Sequence, residues 1–218
     1  KTSTTIGIPN DINLEDMLFS YGVRLNTNLV QDLTALKIPI KTGQIGDQPQ
    51  FDFFTWYFFP VLMPTINHPI VNGLNAVKTE FISTLDTVAA PGIKKTYLLE
   101  TSPYSRTVNA PALIDLQIVK ERPNERAFSQ GPLPVAVLLE GEFTSSFLYR
   151  IPPELAGNPS LGYKSKSKAT KMIVMADGDL VKNQFHYSQG YPLPLGYDQY
   201  TRQTFGNKDL ALNAVNFL

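Results

Sequence analysis

The sequence predicts an α/β protein with a mixed sheet and flanking helices, on three observations. First, two short runs, PVAVLL at 134–139 and KMIVMA at 171–176, are continuous, apolar and rich in β-branched residues. Such runs suit strands buried on both faces of a sheet. Second, Ile38 and Ile40 alternate with polar neighbours, as do Ile114, Leu116 and Ile118, the pattern of half-buried strands. Third, Leu210, Ala211, Ala214, Val215 and Leu218 recur at helical spacing behind Asn207, which predicts a capped amphipathic helix at 207–218. Strands that follow one another without regular helices between them argue against a simple βαβ array.

The remaining elements follow in chain order. Residues 1–10 are small and polar and predict a flexible lead-in. Asn13 is placed to cap a short helix with Glu15 and Asp16 in its first turn and Leu14, Met17, Leu18 and Tyr21 on one face, ended by Gly22. Residues 23–25 and 29–30 are short extended candidates. The stretch 43–50 reads as a turn. The aromatic run 50–59 reads as a strand stopped by Pro60. Further strands are predicted at 80–88 and 95–100, and a helical turn at 180–185. The interval 143–170, with Lys164, Lys166 and Lys168, reads as solvated loop. The aromatic run serves either as core or, with rings on both parities, as core on one face and partner surface on the other.

Composition narrows the function. The 218 residues carry Lys+Arg 19 against Asp+Glu 19, and charged residues make up 17%, below the roughly 25% of an average chain. A net charge of zero excludes a nucleic-acid binder driven by phosphate attraction. Without cysteine, disulfides, Cys-ligated zinc and thiol nucleophiles are excluded. No interval is apolar for the roughly 20 residues of a bilayer span. The length and the lack of a linker predict one domain over 1–218.

Two clusters carry candidate chemistry. Each doubly buried run ends in acid–Gly–acid: Glu140-Gly141-Glu142 and Asp177-Gly178-Asp179. Carboxylates at the carboxyl ends of sheet strands suit a Mg²⁺ or Ca²⁺ site, and acid–Gly is equally an ordinary way to turn out of a strand. Ser102, Tyr104, Ser105 and Arg106 crowd the loop after LLE, where hydroxyls and one guanidinium suit an anion or, again, a turn. His68 and His186 stand in no ligand spacing, and no G-x-S-x-G, Walker A or G-x-G-x-x-G occurs. No cofactor is expected. From the residues alone, a carboxylate- and cation-dependent hydrolase or transferase stays open beside a non-enzymatic binding or scaffold domain.

Six blocks appear in the order of a known family: YGVRLNTNLVQDL (21–33), NHPIVNGL (67–74), KKTYLLETSPYSR (94–106), PVAVLLEGEFTSSF (134–147), TKMIVMADGDLVKNQ (170–184) and PLGYDQYTRQTFGNKDLALNAVNFL (194–218). With these the chain resembles the GldG family, the auxiliary component of a gliding-associated ABC-type transport system in Bacteroidetes. The resemblance implies a membrane-anchored protein with an extracytoplasmic (periplasmic) domain, working with a permease subunit and an ATPase subunit, with an envelope partner as a further candidate. It also implies a fold related to flavodoxin-like and glutamine-amidotransferase-like proteins. Against that pattern the chain lacks N-terminal strand–helix units and membrane segments, so a truncated sheet is expected, and it lacks the amidotransferase cysteine. A shared fold is in any case no warrant for activity.

Overall fold

The computed structural model describes residues 4–186 and 188–218. Among them the strands are β1 (Thr4–Gly7), β2 (Val23–Leu25), β3 (Asn28–Asp32), β4 (Ala35–Ile45), β5 (Gln48–Leu62), β6 (Val77–Lys78), β7 (Leu85–Thr87), β8 (Ile93–Glu100), β9 (Ser105–Asn109), β10 (Ala112–Asp115), β11 (Pro134–Gly141), β12 (Thr170–Met175), β13 (Tyr197–Asp198) and β14 (Gln203–Thr204). The α-helices are α1 (Glu15–Ser20), α2 (Pro153–Ala156) and α3 (Asn207–Phe217). The chain is thus a sheet-rich α/β protein, 38% strand and 17% helical.

β11 is the axis of the fold. It lies between β8 and β12 and is antiparallel to both. Its residues from Val135 to Leu139 are fully buried. Successive side chains of a strand point to opposite faces. Ala136 and Leu138 accordingly enter one apolar cluster, with Leu62, Ile82, Leu98, Leu180 and Leu210. Val137 and Leu139 enter another, with Leu18, Val23, Leu85 and Phe143. A register irregularity between Pro134 and Val137 lets Val135 join Ala136 on the first side. Burial of each such side chain contributes on the order of 1.5–3 kcal/mol. α1, β2 and β7 cover the second cluster, and α3 covers the first.

Every strand pair among the described residues is antiparallel. A flavodoxin-like sheet is parallel and needs a helical crossover of a dozen or more residues between neighbouring strands. The resemblance implied that relation, and the pairing here differs from it.

The β4–β5 hairpin is longer than its sequence suggested. Pairing runs from Ala35 opposite Pro60 to Ile45 opposite Gln48, so most of 43–50 is strand. A two-residue turn suffices because Gly46 takes φ 60°, and glycine at the first central position matches the twist of paired strands. β5 also continues through Pro60, whose carbonyl accepts from Thr79 N at 3.1 Å. At its base the hairpin closes a third apolar cluster of Trp56, Phe58 and Ile114.

Four local expectations are corrected. Where a flexible lead-in was expected, Thr4–Gly7 pairs with Ala112–Asp115 in β10; residues 1–3 lie outside the described residues. Asn13 does not cap α1: it sits at φ 55°, a conformation asparagine tolerates, and Leu14 takes the cap position. Of 80–88 only Leu85–Thr87 is strand. Asn207 is the first residue of α3 rather than its cap, and is buried. Its Oδ1 accepts from Lys78 N at 3.1 Å. Its Nδ2 donates to Lys78 O at 2.9 Å and Leu180 O at 3.0 Å. Gly206 in the cap position permits this approach, since a Cβ there would lie 2.7 Å from Asn75 O. The predicted apolar face of α3 is half realised: Leu210 and Ala214 are buried, whereas Val215 is 74% exposed.

Leu138→Ala is expected to lower the unfolding free energy by roughly 3–5 kcal/mol, and Leu212→Ala on the open side of α3 by less than about 0.5 kcal/mol. Urea unfolding of the two variants measures the contrast.

Candidate functional site

The two acid–Gly–acid ends do not meet. Because β11 and β12 are antiparallel, their carboxyl ends lie at opposite edges of the sheet. Glu140 stands opposite Lys171, and Asp177 is six residues further along the chain, about 20 Å at the rise of a strand. Glu140 pairs with Lys94 at 3.1 Å and Glu142 with Lys166 at 2.7 Å. Among the described residues no group of three or more His, Asp or Glu side chains is placed to hold a metal ion.

The Asp177 end nevertheless borders a cavity of about 730 Å³, inside the range of small-ligand sites. One wall is the amino-terminal segment, with Ile6, Ile8 and Ile12. The opposite wall runs through Leu25, Asn28, Phe81, Met175 and Asp177. Asp177 Oδ1 accepts from Asp179 N at 2.7 Å and its Oδ2 from Glu80 N at 3.1 Å. Lys182 Nζ bridges Asp179 at 2.7 Å and Glu80 at 3.1 Å. Lys78, 4% exposed, reaches Glu80 at 3.4 Å. Lysines and carboxylates therefore alternate from the core to the rim. Burial lowers the Lys182 pKa, but hydrogen bonds and charge from Asp179 and Glu80 outweigh it and hold the ammonium above its ordinary value. Phe81 adopts φ 54° at this rim, costly for a bulky side chain. Its amide donates to Phe58 O at 2.9 Å, and its ring packs on Phe58 and Phe59. The cavity offers shape, an apolar wall and a compensated acidic end.

Burial pushes the Asp177 carboxyl up from 3.8 to about 6. The two amide hydrogen bonds oppose that, and the charges of Asp179 and Glu80 add to it. The folded state thus holds this proton more tightly than the unfolded chain. The stabilisation from this group is complete below about pH 3.8 and is lost as pH rises through about 6. At 1.36 kcal/mol per unit the loss reaches roughly 3 kcal/mol. The difference in unfolding free energy between the wild type and Asp177→Asn should shrink by up to that amount between about pH 4 and 7, measured by urea titration at each pH.

The hydroxyl loop turns inward, and Ser102 bonds a carboxyl of the protein itself. Asp32, at the end of β3, is fully buried. Its Oδ1 accepts from Ser102 Oγ at 2.6 Å and from Thr34 N at 2.7 Å, and its Oδ2 from Ser102 N at 2.9 Å. Burial raises its pKa, against these bonds. Ser105, also fully buried, shares a 2.7 Å hydrogen bond with Thr101 Oγ1 and donates to Ser102 O at 3.0 Å. Arg106 Nε donates to Gln31 Oε1 at 2.7 Å, and its guanidinium lies 4.6 Å from the Phe128 ring centroid. Tyr104 is exposed. The four predicted residues are brought together, but three of them are engaged inward, clamping β3 to β9. Ser102→Ala should cost roughly 1–3 kcal/mol because it strips a bond from a buried carboxylate, whereas Tyr104→Ala should stay within about 0.5 kcal/mol. Thermal or urea unfolding separates them.

His68 Nδ1 accepts from Ile70 N at 3.3 Å and its ring meets Phe217 edge-on, while His186 stacks on Tyr191. Sequence reasoning missed Glu80, Lys78 and Lys182 at the cavity and Asp32 in the clamp. Lys78 and Glu80 are near neighbours in the chain, but Glu80 meets Lys182 and Asp177, and Asp32 meets Ser102, across tens of residues.

The architecture places a ligand-sized cavity at the exit of β12. The family comparison is more specific. The model of the family described as ABC-type uncharacterized transport system, auxiliary component, matches residues 1–214. The chain belongs to that family. It is therefore an auxiliary component of an ABC-type transport system, which implies association with the transporter subunits. Neither a curated protein nor a solved structure matches the chain.

Proposed function

We propose that this chain is the extracytoplasmic, non-enzymatic auxiliary domain of a gliding-motility-type ABC transport system of the GldG kind, from Bacteroidetes, anchored to the inner membrane in its full-length form and contacting the permease more directly than the ATPase. The observation that carries the reading is the family match over residues 1–214. The six ordered sequence blocks supply the finer assignment to gliding systems. The geometry supports a binding or scaffold role: Glu80 and Asp179 at the cavity are compensated by lysines, and Ser102 of the hydroxyl loop is spent on Asp32. Both arrangements suit a rigid body that presents surfaces.

The test is affinity purification of the tagged full-length protein from detergent-solubilised native membranes. Recovery of the permease, with the ATPase following through it, is the expected result. Recovery of neither subunit, with the bait intact, overturns the proposal.

A further inference from the structure

Beyond its base, the β4–β5 hairpin projects as a two-stranded arm whose two faces differ. Residues directly opposite in an antiparallel pair share a face. Lys37 stands opposite Thr55, Pro39 opposite Phe53, and Lys41 opposite Phe51. One face therefore carries two lysines and two phenylalanines. Ile38 opposite Phe54 and Ile40 opposite Asp52 make the other. Ile38 packs on the Trp56, Phe58 and Ile114 cluster, so this second face looks back towards the body. On the outward face Phe51 is 52% and Phe53 49% exposed, and both lysines are exposed. Among the described residues no ion pair engages Lys37 or Lys41. Asp52, exposed on the opposite face, accepts at Oδ2 from Thr42 Oγ1 at 2.6 Å. Two lysines and two rings thus share one face, while the exposed acids Asp52 and Asp47 stand on the opposite face and in the turn.

We propose that the outward face of this arm docks on an anionic lipid surface. Aromatic rings beside lysines are the composition of interfacial elements. The rings enter the headgroup–acyl boundary, while the lysine stems lie along apolar surface and keep their ammonium groups among the phosphates. The sign of the face decides between occupants. A second copy docked by this face would bring four lysines together with no acid on the face itself to offset them. A protein partner of high affinity seats its anchors in shaped pockets, whereas here two rings stand side by side on a ribbon, a form that fits a plane.

The experiment is co-sedimentation of the 218-residue chain with two kinds of vesicle, phosphatidylcholine alone and phosphatidylcholine mixed with phosphatidylglycerol. Binding to the mixed vesicles only, released in about 1 M salt where the Debye length is about 3 Å, is expected. Lys37→Gln/Lys41→Gln should lower the partition coefficient roughly 30-fold, the effect of two lysines at an anionic surface, and Phe51→Ser/Phe53→Ser roughly tenfold. All four sites are exposed, and melting curves matching the wild type establish that both variants fold. Equal binding to neutral vesicles, no binding to either, or a Phe51→Ser/Phe53→Ser variant that partitions like the wild type overturns the proposal. If that variant keeps its vesicle binding but loses permease co-purification, the face is a protein interface and the lipid assignment fails. Failure of permease association with vesicle binding intact tells against the transport reading alone.

Discussion

The burial of β11 on both faces is the constraint on which the rest of the structure depends. A strand that exposes no side chain from Val135 to Leu139 needs two apolar layers, and the chain supplies them from different regions. α1, β2 and β7 close one side, and α3 with β6 and the turn at Gly178–Val181 closes the other. Both edges of β11 are also taken, by β8 and β12. The strand therefore presents neither backbone nor side chain to a partner. What stays accessible is what surrounds it: the cavity at the β12 end and the arm.

Polar ties, rather than long helices, fix those peripheral parts. Asp32 joins the end of β3 to the Ser102 loop, Asp177 joins the exit of β12 to Glu80, and Asn207 joins α3 to β6. Each is a buried or half-buried side chain whose hydrogen bonds satisfy backbone amides that the short strands leave unpaired. Such groups contribute modestly when bonded and cost more when left alone. The same ties that hold the structure also occupy the chemistry that the sequence offers.

What could be read from the sequence, and what could not, divides along the same line. β11, β8 and the aromatic β5 were legible, because continuous or alternating apolar runs report burial locally; β12 was legible as a strand, but it is an edge strand in which Val174 alone is buried, not one buried on both faces. The pairing of these strands was not legible. Glu140 and Asp177 look like neighbours when two strand ends are imagined side by side, and antiparallel pairing sends them to opposite edges. Strand direction is set by how the connections pack, which no single run encodes. The two-residue strand β6 lacked enough alternation to register, β2 was anticipated at 23–25, and β7 was overextended to 80–88. Asn13 and Asn207 were read as caps from composition, and each was taken by a different interaction, a left-handed turn in one case and a buried backbone tie in the other. The Ser102 loop was read by residue type as an anion site or a turn; in the structure Ser102 turns inward to a carboxyl of the protein itself. That carboxyl, on Asp32, sits 70 residues earlier, beyond the reach of local pattern.

The tie between Asn207 and Lys78 spans 129 residues. On a ribosome, β6 emerges long before α3. Until residue 207 follows, the Lys78 amide and carbonyl have only water to bond, and water cannot stay where Leu210 will pack. The cluster that holds Leu62, Leu138 and Leu180 must therefore wait, half-assembled, for the far end of the sequence. The order of synthesis makes the last helix the keystone, and a chain shortened before it would carry an open apolar seam, the kind of surface that chaperones and proteases inspect.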